Sequence, residues 1–227
     1  MRFEEILGLI DTEKFDDALK EIKLALEKRT EDFNYWKRCI LFLFDNYQYF
    51  EVDYWDELLE SGMLICKTSY SKAYLEKNHS FFYLYEYKFT IEYIKYKPYN
   101  SHKYPDEYLQ KLLDNAIQLD DENSKALEER GRFFYANSKY DLANSDYTKV
   151  INLQKNINVF LYLDKANNNE IAKNYNEAIA DNEIVLNNTD VDIIKSISYS
   201  SLIRIYKLLN NNEKAKYYEN LLDNLNL

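Results

Sequence analysis

Few side chains in this 227-residue sequence are spaced so that they could do chemistry together. Glu76 and His79 stand three residues apart, which puts two ligands on one face of a helix, as in di-iron carboxylate bundles. Such a site needs a second Glu-x-x-His and two more carboxylates, and His102, the other histidine, has no Glu three residues before it. The pair therefore reads as an ordinary surface pair. Adjacent carboxylates occur at Asp120-Asp121-Glu122 and at Glu128-Glu129. The first run suits a turn before a helix, where acids complement the N-terminal dipole. The second suits a solvated face, with Glu128 spaced for an i,i+4 pair with Arg132. Acid–base catalysis would also need a substrate pocket. The sequence has no Gly-rich phosphate loop and no Cys/His metal cluster. The expectation is a non-enzymatic chain without catalytic, cofactor-binding or metal-binding residues.

Residues 87–104 are the one locally basic stretch, in which Lys88, Lys95, Lys97 and Lys103 alternate with five tyrosines and one glutamate. Cations interleaved with stacking rings could hold single-stranded nucleic acid, or grip an acidic protein segment. They also suit a helix end whose lysines complement the dipole ahead of Pro98. The helix end ranks first and nucleic acid last, because the whole chain carries a formal charge of −10 and nucleic acid demands a basic face. The acidity is even: residues 1–113 and 114–227 each carry −5. Tyrosine is the unusual residue, 23 in all with 14 between Tyr35 and Tyr108. It suits interfaces, but AT-rich coding would also inflate it in ordinary packing.

The elements that carry these residues read as helices. Three glycines and two prolines are too few for the tight turns of a sheet protein. Phe33, Trp36, Ile40, Leu43, Phe44 and Tyr47 make one helical stripe, and Trp55, Leu58, Leu59, Met63 and Cys66 make another. A third pattern covers 70–97, as one helix or two. Pro98 and Pro105 bracket a loop, and a helix over 106–119 follows, with Leu109, Leu113, Ala116 and Leu119 on its packing face. Cys39 and Cys66 read as small core residues of a reducing compartment. Acids stand where a signal peptide would be apolar, and no apolar run approaches the ~20 residues of a membrane span. A cytoplasmic protein with no membrane partner is expected.

Four segments share a frame: 13–28, 138–153, 173–188 and 210–225. Each sets a small residue near the start of a helix (Ala18, Ala143, Ala178, Ala215) and an apolar one seven later (Ala25, Val150, Val185, Leu222). In three of them an aromatic precedes the alanine by three: Phe15, Tyr140 and Tyr175. A helix pair with this pattern cannot bury its apolar stripe alone. It must stack on the next pair, and a small residue at the crossing allows close approach. The frame resembles the tetratricopeptide repeat, best over 124–157, where Gly131, Tyr140, Ala143, Tyr147 and Val150 hold the family's small and aromatic positions. The resemblance covers 106–227 and extends to 1–28. Over 30–105 only helical periodicity remains, and Lys165 and Asn169 stand where the family prefers apolar packing residues.

The resemblance implies an all-α, right-handed α-solenoid of antiparallel helix hairpins. Residues 1–227 are expected as a single domain, with divergent hairpins over 1–105 and recognisable repeats over 106–227. It also implies a protein or peptide partner held on the inner wall built from the first helix of each repeat. In this register Lys125, Arg132 and Tyr135 face inward from one repeat, with Glu128 beside them. Asn167 and Glu170 come from the next, and Arg204 and Lys207 from the last. Arg132, Asn167 and Arg204 take equivalent positions and should form a polar column, on which an acidic side chain of the partner could pair with Arg132 or Arg204. The alternative is that these cations pair with neighbouring acids such as Glu128. The carboxylate clamp of tetratricopeptide co-chaperones is not reproduced, since Glu128, Asp164 and Ser201 stand at its positions. A chaperone or neutralising partner for a secreted or toxic protein is one specific version of this function. Nucleic-acid binding through 87–104 is the runner-up of a different class, and a homo-oligomer is compatible with either.

Overall fold

The computed structural model describes residues 5, 6, 8, 9, 12, 14–26, 33–50, 52–70 and 79–225. Among the described residues there is no strand. The helices are α1 (Phe15–Leu26), α2 (Phe33–Asn46), α3 (Val52–Tyr70), α4 (Ser80–Tyr96), α5 (Asp106–Leu119), α6 (Ser124–Ala136), α7 (Tyr140–Leu153), α8 (Val159–Ile171), α9 (Tyr175–Asn187), α10 (Asp192–Leu208) and α11 (Asn212–Asp223). They fall into two compact units, 1–123 and 124–227.

In the first unit the described side chains of both predicted stripes face the core, and that of Phe33 lies outside them. Ile40 and Leu43 on α2 and Leu58, Leu59, Met63 and Cys66 on α3 are buried, while Trp36, Phe44, Tyr47 and Trp55 pack partly buried at its margin. The centre is α4, apolar on nearly every side and so packed on several sides. That is where the tyrosines went: Tyr83, Tyr85, Tyr87 and Tyr93 are buried. Gly62 lets α3 and α4 meet, since a Cβ there would lie 2.5 Å from the Phe89 ring. Phe89 in turn meets Phe44 edge-on at 5.3 Å. A carboxylate is buried on the same helix. Glu86 accepts a hydrogen bond from the Tyr108 hydroxyl and has Lys67 at 3.7 Å, partners that such a group needs away from water. Helix α4 ends before Pro98 as expected, but 98–103 is a turn of 3-10 helix rather than an open loop. Helix α5 spans the expected residues. Its buried face includes Leu112 and Ile117, and Leu119 is only half-buried.

The second unit is three hairpins of one design: α6/α7, α8/α9 and α10/α11. Ala143, Ala178 and Ala215 are buried near the starts of the second helices, and Ala18 holds the same place in α1. Val150 and Val185, seven further on, are fully buried, whereas Leu222 is half-buried. Each hairpin turns through a non-glycine residue at positive φ: Ser138 (58°), Lys173 (64°) and Asn210 (57°). The next residue's N–H then bonds back five residues, Lys139 to Phe134, Asn174 to Asn169 and Asn211 to Tyr206, all at 2.8 Å. This is the Schellman closure, normally built on glycine.

Two positions expected to be apolar are polar for a reason visible in the packing. Lys165 on α8 donates to both carboxylate oxygens of Asp181 on α9, at 2.9 and 3.1 Å, and Asn169 donates to the same carboxylate at 2.9 Å. The preceding hairpin does the same: Arg130 donates to Asp146 twice at 2.8 Å. In both, a cation on the first helix meets an aspartate 16 residues later. The third hairpin replaces the pair with buried Leu202 and half-buried Tyr218, which stacks on Tyr206 at 5.8 Å. Such pairing satisfies the buried aspartate, so the register holds without apolar side chains at Lys165 and Asn169.

Candidate protein-binding face

The inward positions read from the repeat lie on α6, α8 and α10, the first helix of each hairpin in the second unit. Helix α8 is started by Asn158, whose side chain accepts hydrogen bonds from the N–H groups of Phe160 and Leu161. Side chains bridge the three helices. Asn167 donates its amide to the Tyr135 hydroxyl at 2.8 Å, and Arg132 reaches Asp164 at 3.4 Å, so α6 and α8 are joined twice. Across the next gap Arg204 donates to both oxygens of Glu170, at 2.8 and 3.0 Å, and the Ser201 hydroxyl donates to Glu170 at 2.6 Å. Arg132, Tyr135, Asn167, Glu170 and Arg204 are thus linked along a ribbon over three helices. Lys125 is exposed near the start of α6, and Lys207 pairs with Glu219 on α11 at 2.7 Å.

The arginines of this ribbon are already matched. Arg132 also bonds Glu128 at 2.5 Å and has Glu129 at 3.9 Å. Burial alone would lower its pKa, but the fields of Glu128, Asp164 and Glu129 lift it above the usual guanidinium value. Arg204 is lifted mainly by its hydrogen bonds to Glu170. Burial raises the Asp164 carboxyl, and Arg132 only partly offsets this. Pairing with neighbouring acids, as the spacing of Glu128 and Arg132 allowed, is present within the chain.

The other candidates take different places. Glu76 lies outside the described residues. Among the described residues no group of three or more His, Cys, Asp or Glu side chains could hold a metal ion. In the basic stretch Lys97 pairs with Asp56 and Lys95 with Glu92, and Lys88 lies over the rings of Phe44 and Tyr85. Tyr87 and Tyr93 are buried, so neither presents a free face for a base. No helix among the described residues is long and apolar enough to cross a membrane.

Sequence reasoning missed three members of this face. Phe160, Ile193 and Ile197 are exposed on the same helices. Their signal was the repeat itself, since Phe160 and Ile197 stand at equivalent positions, seven residues before Asn167 and Arg204.

No protein-family model matches the sequence, and no curated protein matches it. Solved structures share its fold. A structure of PilF from Pseudomonas aeruginosa is 16% identical over 99% of this chain and 90% of that one, with a TM-score of 0.61. One of MamA from AMB-1 is 14% identical over 77% of this chain and 86% of that one, at 0.58. The C-terminal part of a TPR repeat-containing protein from Cytophaga hutchinsonii is 15% identical over 99% and 95%, at 0.50. At these identities the likeness is one of fold. The chain has the all-α solenoid fold of tetratricopeptide-repeat proteins.

Proposed function

We propose that the chain works as a non-enzymatic binding module that holds a segment of another protein on the α6/α8/α10 face. Lys125, Arg132, Tyr135, Asn167, Glu170, Arg204 and Lys207 line the contact in this reading. The observation that carries it is the ribbon of cross-helix bonds, which ties exposed Arg132, Asn167 and Arg204 to equivalent places on the first helices of three successive hairpins. A rigid, repeated surface loses little freedom when a partner settles on it. Tetratricopeptide-like neighbours support the same reading at the level of fold. The buried free thiols Cys39 and Cys66 support a reducing, cytoplasmic setting.

Affinity isolation from the native host tests this directly, with wild type and Asn167→Arg as paired baits. Asn167 is exposed, so the larger charged side chain should obstruct the face and leave the thermal melt unchanged. A partner captured by wild type and lost from the variant is the expected result. The same partner at the same yield from both baits would place the interface elsewhere.

A further inference from the structure

The two seams of the binding face are not alike. Between α8 and α10, Glu170 accepts hydrogen bonds on both oxygens, from Arg204 and Ser201. The buried aspartates of the hairpins, Asp146 and Asp181, likewise accept on both. Between α6 and α8, Arg132 alone meets three carboxylates: Glu128 at 2.5 Å, Asp164 at 3.4 Å and Glu129 at 3.9 Å. This group keeps a net charge of −2, or −1 with exposed Lys125 of the same helix counted in. Among the described residues Glu128 and Asp164 each accept on one oxygen only, and 3.9 Å is too long for a hydrogen bond to Glu129. The arginine is matched, but the carboxylates around it are not.

Tyr147 on α7 faces the same cluster. It is 2% exposed, yet its hydroxyl makes no hydrogen bond among the described residues. The titratable groups around that hydroxyl are Asp164, Arg132, Glu128 and Tyr135. Burial raises its pKa most, Asp164 raises it further, and Arg132 offsets only part of this. The field there is that of the carboxylates. Buried hydroxyls are normally paired, so one left over beside half-satisfied carboxylates marks the acceptor side of a contact. An anion would meet like charges here. An ammonium brings three donors and a guanidinium five, which suits several acceptors gathered from three helices.

We propose that Asp164, Glu128 and the Tyr147 hydroxyl hold a lysine or arginine side chain of the partner, so that the segment bound on this face is basic. This rests on the reading of the α6/α8/α10 face as the binding surface and specifies the chemistry of its partner. The sign is opposite to the one that Arg132 and Arg204 suggest on their own. Arg132 keeps the carboxylates together and competes weakly with the incoming cation. The charge of −10 on the whole chain draws a basic segment in, and salt screens that attraction.

The test uses a randomised peptide library displayed on phage and selected against the full chain, with the selected peptides titrated at low and at high salt. The expected result is a set of peptides rich in Lys or Arg whose affinity falls with salt. It should also fall about 10-fold or more in Asp164→Asn with Glu128→Gln. Tyr147→Phe keeps the ring and should weaken the same peptides about 5-fold, with the thermal melt unchanged because the hydroxyl has no bond to lose. Arg132→Gln should tighten them by removing the competing cation. Peptides enriched in acids and lost in Arg132→Ala with Arg204→Ala would overturn this inference and leave the binding face standing. Basic peptides indifferent to the carboxylate double variant but lost in Asn167→Arg would do the same. Peptides insensitive to every one of these variants, or none selected, would overturn the inference and the proposed face together.

Discussion

Replacing Gly131 with alanine separates the packing account from helix propensity, because the two predict opposite signs. Alanine in a helix is favoured over glycine by about 1 kcal/mol, so propensity alone makes the variant more stable. The crossing of α6 and α7 says otherwise. A Cβ at Gly131 would stand 2.5 Å from Cε1 and 2.8 Å from Cδ1 of Tyr147, whose ring is almost wholly buried. Carbon atoms in contact prefer about 3.5–4.0 Å, so the ring or the helix must move by about 1 Å. Overpacking of that kind costs about 1–3 kcal/mol, which leaves a net loss of up to about 2 kcal/mol after the propensity gain. Gly62→Ala should lose stability for the same reason, against Phe89 at 2.5–2.7 Å. Gly8, helical and with nothing within 4 Å of its would-be Cβ, is the control and should gain up to about 1 kcal/mol on substitution. Urea denaturation followed by circular dichroism reads all three. Adding Tyr147→Leu should reduce the Gly131→Ala penalty by about 1 kcal/mol, a coupling between neighbours. A Gly131→Ala midpoint that moves the same way as Gly8→Ala would refute the crossing geometry.

Ser138→Gly and Lys173→Gly should each stabilise the fold by up to about 1 kcal/mol, since both residues hold positive φ at a turn where a side chain costs energy; a loss of stability in thermal melts would count against the turn assignment. Ala143→Leu and Ala178→Leu should each cost about 1–3 kcal/mol, because both alanines are fully buried at helix crossings; unchanged denaturation midpoints would show the repeat register to be wrong. Burial raises the Asp181 carboxyl above its ordinary value despite Lys165 and Asn169. A raised folded value favours the fold while the group is protonated, and that contribution is lost as pH rises through it. Asp181→Asn should therefore match wild type most closely at acid pH and gain on it towards neutrality, and a gap that widens on acidification would contradict this.

The repeat was legible because its marks are local and recur. Ala143, Ala178 and Ala215 with Val150 and Val185 announce the helices, and α5 spans the 106–119 that its flanking Pro105 suggested. The turns were hidden because Ser138, Lys173 and Asn210 carry the role usually given to glycine, although they share the alanines' spacing. Lys165 looked out of place in isolation, because its partner Asp181 is on the neighbouring helix; the matching Arg130–Asp146 spacing was the missed signal. Tyrosines around Tyr87 looked available for contact until α4 proved to run through the middle of its unit. In the candidate face, the column of Arg132, Asn167 and Arg204 could be read from the repeat period. The pairing of Arg132 with Asp164 depends on how two helices sit side by side, which no local pattern states.

Site-specific photocrosslinking in living cells tests the central claim most directly, with the photoreactive group placed in turn at Asn167, Arg204 and Tyr99, all exposed. The account predicts one partner protein crosslinked from positions 167 and 204 and none from 99. A partner crosslinked from 99 alone would contradict it and move the interface to the first unit.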